Sequence, residues 1–167
     1  MTRTDSDMTS PWISKQAPDF SLEDQKNHLR HLGDYAGRWL VIYFYPKDST
    51  PGCEAESCGF RDRSADLEKV NASVVGISIL DTASKSKFAS ELKLSFPLLA
   101  DEDHAVAEAY GVWKEKSMYG KTFMGVSRET FVLAPDGRIA AHWPKAKGTG
   151  EHSSEVLEKI IQLQSQG

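Results

Sequence analysis

Trp39-Leu-Val-Ile-Tyr-Phe-Tyr45 is an unbroken run of aliphatic, β-branched and aromatic residues, the composition of a strand covered on both faces in the middle of a sheet. Ser73–Leu80 (SVVGISIL) is a second run of the same kind. Between them Pro46–Thr50 reads as a loop, and Gly52 to about Val70 reads as a helix with Phe60, Leu67 and Val70 on its apolar side. Strand, helix, strand predicts a parallel crossover of the right-handed kind.

Working outward, Ala83–Leu94 has the spacing of an amphipathic helix and Phe96–Leu99 that of a short strand. Asp103–Tyr110 reads as a helix whose acidic opening suits the dipole at its N-terminus. Glu129–Ala134 and Arg138–Trp143 flank Pro135-Asp-Gly137, which predicts an antiparallel hairpin. From Glu151 onward, Val156, Leu157, Ile160 and Ile161 recur at helical spacing and should cover a sheet face. Residues 1–16, without periodicity and punctuated by Pro11, read as a flexible N-terminal arm, and 17–167 as a single domain. The order predicts an α/β, thioredoxin-like fold with a central mixed β-sheet flanked by helices.

Composition narrows the function. The chain of 167 residues has room for one ordinary domain. With 20 Lys plus Arg against 24 Asp plus Glu, its charge of −4 lacks the basic excess of a general nucleic-acid binder. No apolar run approaches the roughly 18 residues of a membrane span, and the first residues have no signal-peptide pattern, so a cytoplasmic protein is expected. Two cysteines are too few for a disulfide scaffold.

Both lie in Pro46-Lys-Asp-Ser-Thr50-Pro-Gly-Cys53-Glu-Ala-Glu56-Ser-Cys58, directly after the central strand, where α/β sheets place their chemistry. Thr50 suits an N-cap and Pro51 a first helical residue, which puts Cys53 in a first turn whose backbone N–H groups favour an anion. The helix end alone does not suffice. Bringing a thiol from pKa about 8.5 to about 6 raises its thiolate share at pH 7 from about 3% to about 90%, a change of about 3.4 kcal/mol. A helix terminus supplies about 0.3–2 kcal/mol. A cation must help, and Lys47, Arg61, Arg63 and Arg128 are the candidates. Glu54 opposes the thiolate unless it faces water.

The spacing carries a second consequence. On an unbroken helix, residues five apart have Cα atoms about 8.6 Å apart, whereas a disulfide tolerates about 7 Å at most. A bond between Cys53 and Cys58 therefore requires the helix start to unwind. A zinc site is disfavoured, because no second ligand pair of suitable spacing accompanies the cysteines. His28 and His31 read as solvated, His104 as part of a helix start, and His142 and His152 have no evident partner. Lys47, Asp48 and Ser49 read as loop or solvent residues, and Trp113 and Tyr119 as packing.

At Pro46-x-x-x-Thr50-x-x-Cys53 the sequence resembles the peroxiredoxins. The longer string YFYPKDSTPGCEAESCGFRD resembles the bacterioferritin comigratory protein or peroxiredoxin Q subfamily, as do MYGKTFMG, Arg128-x-Thr130-Phe131 and Ala109-Tyr-Gly-Val-Trp113. The resemblance implies a peroxidatic Cys53, a resolving Cys58 that forms an intramolecular disulfide with it, Thr50 as a hydrogen-bond partner of the thiolate and the peroxide, and Pro46 as a shield of the sulfur from water. It further implies Arg128 as the missing cation and Glu56 as the acid that orients it. Hydroperoxides would be the substrates and thioredoxin or a similar dithiol the reductant, with no metal or other cofactor, no nucleic-acid or membrane partner, and a monomeric state. Glu54, where relatives usually carry Thr, and Ile79-Leu-Asp-Thr82 depart from the subfamily pattern. Two other functions fit the same sequence: a general thiol–disulfide oxidoreductase, which normally uses Cys-x-x-Cys, and a redox sensor that signals through helix unwinding.

Overall fold

The computed structural model describes residues 10–48 and 50–166. Its centre is a seven-stranded sheet. In chain order the elements are β1 (Ser21–Glu23), β2 (Leu29–His31), β3 (Trp39–Phe44), α1 (Pro51–Lys69), β4 (Ala72–Ser78), α2 (Thr82–Leu92) and β5 (Leu98–Ala100). There follow α3 (Ala105–Ala109), β6 (Trp113–Met118), β7 (Lys121–Val126), β8 (Glu129–Leu133), β9 (Ile139–Trp143) and α4 (His152–Gln166). The strand order is β2-β1-β5-β4-β3-β8-β9, with β3 parallel to β4 and antiparallel to β8.

β3 is interior, as its composition requires, and alternation along it feeds two cores. Val41, Tyr43 and Tyr45 meet Phe60 and Leu67 of α1, Phe88 of α2, and Val156 and Ile160 of α4. Leu40, Ile42 and Phe44 meet Phe20, Val106, Tyr110 and Phe131 on the opposite face. Gly76 on β4 makes room for this packing: a Cβ there would stand 2.7 Å from the Tyr43 ring. The α1 start is thereby held at the carboxyl end of β3.

Several elements differ from the sequence reading. Residues 10–16, expected in a loose arm, are docked: Trp12 stacks on Tyr110 at 6.2 Å, and Ser14 N–H donates to the Ile139 carbonyl at 2.8 Å. Residues 1–9 of that arm lie outside the described residues. An aromatic anchor such as Trp12 overrides the polar composition around it. The acidic opening of α3 acts from further upstream, since Asp101 accepts from the Val106 and Ala107 amides. The β1–β2 hairpin and the separate β6–β7 hairpin were not predicted, and both are short or largely exposed. Tyr119, read as packing, is 96% exposed at the β6–β7 turn.

Candidate active site

Cys53 is buried on the first turn of α1, whose start at Pro51 follows Thr50 at the N-cap. The Thr50 carbonyl accepts the Glu54 N–H at 2.8 Å, which closes the first helical turn. The Thr50 hydroxyl, expected to cap the helix, instead donates to the Lys47 carbonyl at 2.9 Å. It thus ties Thr50 back to Lys47 rather than capping α1. Pro46, half-buried, starts that loop.

Of the four cations the sequence offered, Arg128 reaches the sulfur, its Nη2 donating to Cys53 Sγ at 3.3 Å. Lys47 is exposed. Arg61 donates to the Leu92 carbonyl, and Arg63 to Ser154 Oγ. Register explains the choice: β8 lies antiparallel beside β3 with Glu129 opposite Phe44, so Arg128 just before it sits beside the β3 exit. Its Nη1 donates to Glu56 Oε1 at 2.9 Å, one helical turn beyond Cys53.

Burial pushes the Glu56 carboxyl up to about 7, against the pull of Arg128. Burial also acts to lower Arg128, but Glu56 and the sulfur outweigh it and hold the guanidinium above its ordinary value. Two glycines make room for this guanidinium. A Cβ on Gly52 would lie 3.1 Å from Arg128 Nη2, and one on Gly148 would lie 3.2 Å from its Nε and Cζ. Sequence reasoning missed both, although Gly52 lies inside the active-site string.

Cys58 lies on the same unbroken helix, half-buried, and both thiols are free. Ideal helix geometry keeps their Cα atoms about 8.6 Å apart, beyond disulfide reach. What holds this stretch wound is visible. Glu56 is tied to Arg128, and Ser57 shares a hydrogen bond with Tyr43 OH at 2.8 Å. Glu54, expected to face water, is partly exposed.

The histidines are not part of this site, and several have partners the sequence did not reveal: His31, read as solvated, lies 2.7 Å from Ser21 Oγ. His142 Nε2 lies 2.7 Å from Glu129 Oε1, with its Nδ1 2.7 Å from Ser10 Oγ, and His152 Nε2 lies 2.8 Å from Thr130 Oγ1. His104 stacks on Trp113 at 4.1 Å. Asp48, read as a solvent residue, is buried and ion-paired with Lys85. Among the described residues no helix is long and apolar enough to cross a membrane.

The AhpC/TSA family pattern matches residues 13–142. Peroxiredoxin Bcp of Bacillus subtilis is 39% identical, covering 89% of this chain and 94% of its own. Peroxiredoxin Bcp of Escherichia coli is 44% identical, covering 84% of this chain and 90% of its own. A solved structure of the Xanthomonas campestris bacterioferritin comigratory protein, studied for its alkyl peroxide reduction activity, superposes with a TM-score of 0.82 at 38% identity. It covers 86% of this chain and 91% of that one. A cysteine at a helix start faced by a partly buried arginine, on a thioredoxin-like sheet, thus has the company its sequence implied, and the chain belongs to the AhpC/TSA family as a peroxiredoxin related to the Bcp and peroxiredoxin Q proteins.

Proposed function

We propose that this peroxidase reduces hydroperoxides through Cys53. The observation that carries the reading is the 3.3 Å contact of Arg128 Nη2 with the sulfur of Cys53, a buried residue on the first helical turn. The sulfur, as a thiolate, attacks one peroxide oxygen. The O–O bond breaks, the second oxygen leaves and is protonated to water or alcohol, and Cys53 becomes a sulfenic acid. Arg128 and the α1 N–H groups face the negative charge as it passes from sulfur to the departing oxygen, the preorganised stabilisation that dominates such steps. Pro46 limits water at the sulfur, Thr50, whose proton goes to the Lys47 carbonyl, offers its hydroxyl oxygen as acceptor for the peroxide O–H, and Glu56 holds the Arg128 fork in place.

Cys58 then attacks the sulfenic sulfur, water leaves, and an intramolecular disulfide forms once the start of α1 unwinds. A dithiol of the thioredoxin kind returns both thiols by exchange, in the cytoplasm and with the protein acting as a monomer. Stopped-flow mixing of the reduced protein with hydrogen peroxide tests the reading. Prompt oxidation of Cys53, followed by turnover when a dithiol is supplied, is the expected result. Oxidation no faster than that of free cysteine overturns it, and oxidation without turnover would favour the sensor.

A further inference from the structure

The loop that carries Pro46 and Thr50 also carries a carboxylate turned away from water. Asp48 is 5% exposed. Its Oδ1 accepts from Tyr45 OH, while its Oδ2 accepts from Ser84 Oγ at 2.8 Å and from Lys85 Nζ at 3.1 Å. Lys85 is wholly buried, donates also to Ser78 Oγ, and holds its ammonium 5.3 Å from the Tyr45 ring centre. The cluster therefore joins the exit of β3, the last residue of β4, the first turn of α2 and the active-site loop. Among the described loop residues, Asp48 is the one whose side chain is bonded to other elements; the Thr50 hydroxyl bonds within the loop.

Stability alone does not account for these charges. Replacing a buried ion pair by apolar groups of similar volume is often neutral or favourable, whereas removing one partner strands the other. Burial pulls the Lys85 amine below its ordinary value, and Asp48, Asp81 and the Cys53 sulfur push the other way.

We propose that Asp48 and Lys85 are positioning residues of the peroxide site, a buried clamp that fixes the 46–50 loop to β4 and α2 so that Pro46 and Thr50 are set around Cys53. The inference rests on the reading in which Cys53 attacks hydroperoxides. The clamp acts through the loop, so its loss should be felt by a reagent that needs ordered donors around an O–O bond more than by one that needs only the thiolate.

The test uses the double variant Asp48→Asn with Lys85→Met, which removes both charges, keeps an oxygen to accept from Tyr45 OH and turns an amide N–H toward Ser84 Oγ, which then accepts. Its Cys53 is reacted with hydrogen peroxide and, separately, with iodoacetamide. The peroxide rate should fall about tenfold or more, because misplacing such groups by about 1 Å costs up to about 10²-fold, and alkylation should change far less. An unchanged peroxide rate, or equal loss with both reagents, overturns the proposal. If the double variant does not fold, Tyr45→Phe decides. Deleting its hydroxyl, which anchors Asp48, should lower the ratio of peroxide to iodoacetamide rate about threefold or more, and a wild-type ratio overturns the clamp. Failure of the underlying reading is seen elsewhere, in wild-type Cys53 reacting with peroxide no faster than free cysteine, and the clamp then falls with it.

Discussion

The guanidinium of Arg128 is shared between Cys53 and Glu56, with Nη2 3.3 Å from the sulfur and Nη1 2.9 Å from the carboxylate. One planar fork satisfies both only because its donors are fixed relative to each other. Lysine is a point charge on a flexible stem and cannot make both contacts from one place. Arg128→Lys should therefore slow Cys53 oxidation by hydrogen peroxide, followed by stopped flow, by about 10²–10³, the usual cost of losing a preorganised donor. A rate near that of the wild type would show that charge alone suffices.

The other acceptor predicts a pH effect. Glu56 has its carboxyl raised by burial from 4.5 to about 7 in the folded protein. A raised value means that the folded state holds the proton more tightly, so the contribution to stability is complete below about pH 4.5 and is lost as pH rises through about 7. The change is worth about 3 kcal/mol at most. Glu56→Gln should flatten the decline in unfolding free energy across that window, measured by urea denaturation at a series of pH values. Parallel curves for variant and wild type would place the proton elsewhere.

The two thiols should separate in single-turnover experiments. Cys53→Ser is expected to abolish peroxide consumption. Cys58→Ser should keep the first oxidation and stall recycling by a dithiol, with the sulfenic acid trapped by a dimedone-type reagent. Persistent peroxide consumption in Cys53→Ser would assign the nucleophile wrongly.

Much of this was legible in the sequence because it is encoded locally. The apolar run 39–45 required an interior strand, and the Thr50-Pro-Gly-Cys53 string required a helix start; both are seen. What stayed hidden depends on partners far along the chain. Spacing alone leaves Arg128 one of four candidates and only the family resemblance singles it out; its reach to the sulfur comes from the β3–β8 register. Asp48 reads as a polar loop residue until Lys85 is brought against it. A faint signal existed: Lys85 precedes Phe88 and Ala89 by three and four positions, on the buried face of α2. His142 likewise takes one partner, Glu129, from the adjacent strand β8, and gains the other, Ser10, only because the N-terminal segment docks against β9.

Gly59 tests how tightly α1 is held in its wound form. It follows Cys58, and a Cβ added there would stand 2.7 Å from the Gly150 carbonyl oxygen, 2.9 Å from Gly150 Cα and 3.0 Å from Ser153 Oγ. Two of these atoms are backbone and cannot rotate aside. Alanine should gain about 1 kcal/mol of helix propensity over glycine, but overpacking at such contacts costs about 1–3 kcal/mol. The clash should win by up to about 2 kcal/mol, and Gly59→Ala should lower the thermal midpoint by up to roughly 8 °C, given about 2–4 °C per kcal/mol for a chain of this size. The same strain acts on the wound helix and is relieved when that helix opens, so the Cys53–Cys58 disulfide should form faster after peroxide addition. A raised midpoint with unchanged disulfide kinetics would mean that the 148–150 segment yields and that α1 is not braced by it.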